Sequence, residues 1–186
     1  GFCGTEEIYF ATNDLHTDGG IMVTASHNPS DYNGMKIVGR EAKPISMDSG
    51  LAEIKQLAEN LTEKQSAGEL VTTKKNIRED YLNKVLSFVD TTQLEALKIL
   101  VNAGNGCAGP VIDAMEDLLP FEFHKINHPP DGSFPNGIPN PLLPENRSVT
   151  AKAVVELGAD LGIAWDGDFD RCFFFDENGQ FIDNYY

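Results

Sequence analysis

The sequence predicts an α/β protein with mixed, largely parallel sheets and layered helices. Three observations carry this. From residue 77 onward, short apolar runs alternate with amphipathic stretches, the pattern of strands covered by helices. Gly, Pro and Asn punctuate those runs where turns are needed. Two polar motifs each follow an apolar run: Thr24-Ala25-Ser26-His27-Asn28-Pro29 and Asp166-Gly167-Asp168-Phe169-Asp170-Arg171. Ligands of open α/β sheets sit at such strand ends.

Taken in order, residues 5–15 read as a helix capped by Thr5. Residues 16–20 turn into a strand at 21–25, whose run Ile21-Met22-Val23 reads as buried. A short strand follows at 35–38. Leu51, Ile54, Leu57, Ala58 and Leu61 recur at helical spacing, so 47–60 is expected to be an amphipathic helix with a core-facing stripe. Residues 62–75 are polar, contain Gly68 and read as a linker or edge segment. A helix at 77–89 leads to a strand at 97–102 and a glycine loop at 104–109. Pro110 sits in the first turn of a helix at 110–119, a position where its missing N–H costs nothing. A strand at 121–126 precedes a long Pro-, Asn- and Gly-rich loop to Arg147. A helix at 149–157, a strand at 161–165 and a strand at 172–175 complete the series. Phe173, Phe174 and Phe175 are expected in the core.

The serine motif lifts a hydroxyl from a strand end into a constrained loop. Pro29 fixes its own φ and pushes Asn28 out of the helical region, so Ser26 is held as a nucleophile or phosphate carrier must be. The competing reading is a tight turn whose serine caps a helix. In the second motif, three carboxylates at alternate positions repel one another by about 3 kcal/mol per pair at ~5 Å and an effective dielectric of ~20. A cation offsets that, and all-oxygen ligation suits Mg²⁺, Mn²⁺ or Ca²⁺. An EF-hand loop is excluded, because Arg171 stands where the sixth position needs glycine and the flanks read as strands. An acidic hairpin in water is the plain alternative.

Gly104-Asn105-Gly106-Cys107-Ala108-Gly109 has the spacing of a dinucleotide fingerprint. The fingerprint also needs an acid near the end of the next strand. That strand ends His124-Lys125-Ile126-Asn127, and Glu122 lies at its start. The glycines are therefore expected to permit a tight loop and close packing between domains.

The two motifs, with Asn33-Gly34-Met35-Lys36, Gly104-Asn105-Gly106 and the stretch 130–141, resemble the α-D-phosphohexomutase family, closest to its phosphomannomutase branch. The resemblance runs essentially end to end. It implies that residues 1–75 are the C-terminal half of the family's domain I with the phosphoserine loop. Residues 76–186 would be domain II with the metal loop. The family's sugar- and phosphate-recognition domains have no counterpart here. With no initiator Met and an ending at Asn184-Tyr185-Tyr186, the chain reads as a fragment, inactive alone.

The resemblance further implies an isomerase working by phosphoryl relay. Ser26 carries a phosphate, passes it to a hexose monophosphate and regains a phosphate from the 1,6-bisphosphate intermediate, which is also the activator. One Mg²⁺ would be held by Asp166, Asp168, Asp170 and a Ser26 phosphate oxygen. Arg171 would face phosphate or sugar. Lys36 would be general acid/base, and His27 either Ser26's base or an orienting residue. Sequence neighbours tend to project in different directions, so adjacency alone does not make His27 the base, and a structural or substrate-orienting role stands equally. The implied reaction interconverts mannose 6-phosphate and mannose 1-phosphate, feeding GDP-mannose and surface polysaccharide. A phosphoglucomutase, a hydrolase and a catalytically incomplete metal- and phosphate-binding module are the alternatives.

Composition bounds the partners. A formal net charge of −15 over 186 residues argues against nucleic acid and anionic membranes. It also means that an anionic substrate needs local cations, for which Lys36, Arg171 and a divalent metal are available. Cys3, Cys107 and Cys172 are odd in number and scattered, as expected of reduced thiols in a cytoplasmic protein. His124 and His128 read as loop or strand-edge residues. Residues 76–183 have enough elements to fold alone. The first block, short of strands, is expected to be mobile or to self-associate.

Overall fold

The computed structural model describes residues 2–61 and 71–183. Much of the expected linker at 62–75 lies outside the described residues, and 71–77 are irregular.

The first helix, Thr5–Asp14 (α1), is capped by Gly4 rather than by Thr5. The Gly4 N–H donates to the Glu7 carboxylate at 2.8 Å. Thr5 is the first helical residue, and its hydroxyl bonds to Asp168 at 2.8 Å instead. A two-stranded antiparallel sheet follows, Gly19–Val23 (β1) with Met35–Gly39 (β2), pairing Met22 with Lys36 and Val23 with Met35. Residues 24–34 connect the strands, so the serine motif is the tip of a hairpin. Side chains alternate across a strand, which places Met22, Val38 and Lys36 on one face. Met22 and Val38 are buried there, while Ile21, Val23 and Met35 on the other face are exposed. The expected burial of all three of Ile21-Met22-Val23 is thus corrected by the pleat.

The helix expected over 47–60 is two pieces. A 3₁₀ turn, Met47–Ser49, is separated from the α-helix Leu51–Glu59 (α2) by Gly50 at φ 124°. No residue of α2 is buried, and Ile54, Leu57 and Leu61 are exposed, so the stripe is not core. Periodicity gives a helix an apolar side but does not supply the surface that covers it.

The second block is a three-layer unit. Its elements are Arg78–Leu86 (α3), Lys98–Asn102 (β3), Ala108–Met115 (α4), Glu122–Ile126 (β4), Ser148–Leu157 (α5), Leu161–Trp165 (β5), Cys172–Phe175 (β6) and Phe181–Ile182 (β7). The sheet order is β4-β3-β5-β6-β7. The first three strands are parallel, β6 joins β5 antiparallel, and β7 joins β6 antiparallel. This is the mixed, largely parallel sheet the sequence predicts, with β7 as an unexpected addition. One core cluster holds Leu100, Val154, Ala159, Ala164 and Phe175 beneath α5. A second holds Ile99, Val101 and Ile112 beneath α4. Phe173 and Phe175 are buried, but Phe174 points the other way and is 37% exposed, as strand alternation requires. Pro110 is the third residue of α4, still within its first turn. Gly158 ends α5 in the left-handed conformation, the usual helix stop.

The two blocks dock through α1. Glu7, 2% exposed, is ion-paired with Arg78 at 2.9 Å. Phe10 packs edge-on to Tyr81 with ring centroids 5.7 Å apart. The Thr5 N–H donates to the Asp168 carbonyl at 3.1 Å, so the start of α1 grips the aspartate loop directly.

Candidate active site

Ser26 sits at φ 54°, a left-handed conformation that costs a non-glycine residue about 1–3 kcal/mol unless its surroundings impose it. The loop does impose it. The Ser26 N–H donates to the Thr24 hydroxyl at 2.8 Å, and the Asn28 N–H closes a turn onto Ala25 at 3.0 Å. The result aims the Ser26 hydroxyl at the second block, where it donates to Asp166 Oδ2 at 2.8 Å.

The aspartate loop directly follows β5. Asp166, Asp168 and Asp170 bring carboxylate oxygens within 4.8 Å of one another. Asp166 and Asp168 are buried, and Asp170 is partly exposed. Phe169, at φ 45°, puts its ring against Gly4, where any side chain would collide with it. A side chain at position 4 would displace the Phe169 ring, so Gly4 lets α1 approach the loop with that ring in place.

Two cations answer the three carboxylates. Arg171 Nε donates to Asp166 Oδ2 at 3.0 Å, one of its terminal nitrogens donates to Ser26 Oγ at 3.0 Å, and Asp170 lies 3.5 Å from Nε. Lys36, on the inward face of β2, is ion-paired with Asp168 at 2.7 Å and with Asp170. Burial pushes the Asp166 carboxyl above its usual range, an effect that the Ser26 and Arg171 hydrogen bonds only partly offset. Burial also acts upward on Asp168, but the Lys36 and Thr5 hydrogen bonds outweigh it and hold that carboxyl low. For Lys36, burial works against the charge, while hydrogen bonds to Asp168 and Asp170 raise its pKa above the ordinary value. Lys36 therefore keeps its proton while paired.

The expectation that His27 and Ser26 diverge is corrected. His27 Nδ1 lies 3.1 Å from Ser26 Oγ and also contacts the Arg171 guanidinium. The left-handed turn at Ser26 folds the neighbours together. The Ser26 hydroxyl thus lies within hydrogen-bond distance of both Asp166 and His27.

The donor set fits a divalent cation. Among the described residues, Asp168 Oδ1 is buried without a hydrogen-bond partner, although the other oxygen of that carboxylate receives Lys36 and Thr5. An orphaned buried carboxylate oxygen amid two other carboxylates is the oxygen-rich environment that Mg²⁺ or Mn²⁺ takes. Two local cations against three carboxylates also leave room for further positive charge.

The fingerprint-like glycines serve the chain's own backbone. A side chain at Gly109 would strike the His128 carbonyl at 2.2 Å, and one at Gly106 the Gly167 carbonyl at 2.5 Å. The expected packing between domains is therefore packing within the second block. His124 bonds to Glu122, and His128 to Asp113, away from the site. Sequence reasoning missed Thr5 and Thr24. Thr24 lies inside the serine motif, but Thr5 is 163 residues from its partner and carries no local signal. An open cleft of about 760 Å³ borders Ser26 and Asp168, with Ile8, Met22, Tyr32 and Phe134 among its walls.

Comparison with known proteins decides the family. The sequence model described as "Phosphoglucomutase/phosphomannomutase, alpha/beta/alpha domain II" matches residues 79–179, and its domain I counterpart matches residues 1–65. The chain belongs to the phosphoglucomutase/phosphomannomutase family. Among curated members, a protein named "Phosphohexose mutases" from Xanthomonas campestris pv. campestris is 59% identical over 189 residues, spanning all of this chain and 42% of its own length. A phosphomannomutase from Salmonella typhimurium is 56% identical over 193 residues, again spanning all of this chain and 42% of its own. A crystal structure of a phosphoglucomutase/phosphomannomutase family protein from Burkholderia thailandensis superposes with a TM-score of 0.81 at 31% identity, covering 97% of this chain and 40% of that one. The chain therefore spans about two-fifths of the length of these family members. Among the described residues no helix is long and apolar enough to cross a membrane.

Proposed function

We propose that this chain carries the phosphoserine and metal loops of a phosphohexomutase, and that the whole protein interconverts mannose 6-phosphate and mannose 1-phosphate. The observation that carries the reading is the Ser26 hydroxyl, 2.8 Å from Asp166 of the three-aspartate cluster with Arg171 bridging both. The names of the 56% identical relatives support mannose as the sugar.

In the forward half-reaction, a hydroxyl of the hexose monophosphate attacks the phosphorus on Ser26. The new sugar O–P bond forms as the Oγ–P bond breaks, and Ser26 regains a proton. In the return half, Ser26 Oγ attacks the other phosphate of the 1,6-bisphosphate, and the sugar oxygen leaves. His27 Nδ1, 3.1 Å away, takes the Ser26 proton in that step and returns it in the other. The proton of the attacking sugar hydroxyl passes to Lys36 in the forward half and returns from Lys36 to the leaving sugar oxygen in the other; to accept it, Lys36 must first leave Asp168 and Asp170 and lose the proton that those carboxylates hold on it. Arg171 keeps the Ser26 oxygen oriented and offsets charge on the phosphate. Asp166, Asp168 and Asp170 would hold one Mg²⁺, which supplies polarisation of the transferring phosphoryl group. Positioning and charge neutralisation account for most of the acceleration in such transfers.

The reading separates from a phosphatase by product. Full-length protein given Mg²⁺, a trace of hexose 1,6-bisphosphate and mannose 1-phosphate should yield mannose 6-phosphate, followed by ³¹P NMR. Stoichiometric release of inorganic phosphate without isomerisation would instead establish a hydrolase.

A further inference from the structure

Three loops approach one another at the site with no side chain between them. An added Cβ at Gly106 would lie 2.5 Å from the Gly167 carbonyl oxygen and 2.9 Å from the Gly167 Cα. An added Cβ at Gly167 would lie 2.3 Å from the Ser26 carbonyl oxygen. The Cys107 N–H donates to the Gly167 carbonyl at 2.9 Å, tying the loop after β3 to the aspartate loop. We infer that Gly106 and Gly167 are positioning residues: their stacked backbones set the spacing between the Ser26 hydroxyl and the aspartate cluster.

Ser26 keeps a left-handed backbone that an unsupported serine would leave, and its carbonyl rests directly on Gly167. Gly167 lies between Asp166 and Asp168, so any shift of its backbone moves both carboxylates together. Gly106 stands behind Gly167 and blocks the retreat that a thicker contact would force. A methyl group at position 106 thus pushes the aspartate loop, while a methyl at Gly109 pushes His128. The two insults are sterically similar but have different addresses, which separates positioning from general packing.

The test uses full-length protein carrying Gly106→Ala, Gly109→Ala or Gly132→Ala, the last at a position where no described residue lies within 4 Å of the added methyl. Three quantities are read: thermal midpoint, Mn²⁺ affinity by electron paramagnetic resonance, and the single-turnover rate of phosphate transfer from hexose 1,6-bisphosphate to Ser26 by intact mass. Gly106→Ala and Gly109→Ala should lower the midpoint, and Gly132→Ala should not. Gly106→Ala alone should slow transfer about 100-fold, the cost of a misplacement near 1 Å, and weaken Mn²⁺ about 10-fold. Equal losses in Gly109→Ala, or wild-type values in Gly106→Ala, would overturn the inference. If Gly106→Ala does not fold, the wild-type Cys107 amide carries the test: Mg²⁺ should slow its hydrogen exchange, and an unchanged rate overturns the inference. The transfer arm rests on the phosphotransfer reading, but the Mn²⁺ arm does not. A wild type that binds Mn²⁺ and transfers no phosphate fails that reading alone.

Discussion

Ser26→Ala in the full-length protein should reduce mutase turnover by roughly four to six orders of magnitude, the scale seen when a covalent nucleophile is removed. Neither half-reaction has an alternative acceptor at that position, because the oxygen that carries phosphate is the atom deleted. The fold should survive, since Asp166 keeps both its side-chain and backbone bonds to Arg171. Ser26→Gly is the companion variant. It removes the same oxygen and also relieves the left-handed backbone, worth about 1–2 kcal/mol. Both variants should therefore be inactive whatever their relative stabilities. Steady-state rates within tenfold of wild type in either one would make Ser26 a turn residue and nothing more.

Asp168→Asn should lower Mg²⁺ affinity, measured by calorimetry, by more than the 10–100-fold typical of losing a partner one shell further out. The substitution keeps the shape of a side chain that is 2% exposed and removes its charge. It also strips Lys36 of its buried partner and leaves Asp170 as the remaining carboxylate beside it. Both changes raise the local positive potential and disfavour a divalent cation. Asp113→Asn removes the same charge from a residue paired with Lys125 and His128 instead of the cluster, and should leave affinity unchanged. Equal Mg²⁺ binding by wild type and Asp168→Asn would remove the aspartate loop from the metal site.

Much of this site is legible in the sequence because its chemistry is local. The aspartates are two residues apart on a short loop, so wherever the loop goes they stay together. The strands that flank them, Leu161–Trp165 and Cys172–Phe175, form over the expected residues because their apolar runs are short and sharply bounded. The glycine pattern was separable from a dinucleotide fingerprint by the missing acid alone, and the structure gives the reason for the glycines in backbone contacts. What sequence does not carry is the identity of the neighbour. The stripe on α2 has helical spacing yet lies exposed, and Phe174 belongs to an apolar run yet faces out. Thr5 looks like a helix cap until a carboxylate 163 residues away claims its hydroxyl. His27 turns toward Ser26 because of one backbone dihedral, which residue identity does not encode. Lys36 reaches the aspartates because β1 and β2 pair in a register that puts it on the inward face.

The central claim is that Ser26 carries the phosphate in transit, and peptide mapping by tandem mass spectrometry tests it most directly. Full-length protein incubated with hexose 1,6-bisphosphate and Mg²⁺ should gain one phosphoryl group, located on Ser26. Adding excess hexose monophosphate, with free bisphosphate removed, should discharge that group into newly formed bisphosphate. Phosphate found on another residue, or a Ser26 phosphate that monophosphate does not remove, would contradict the account.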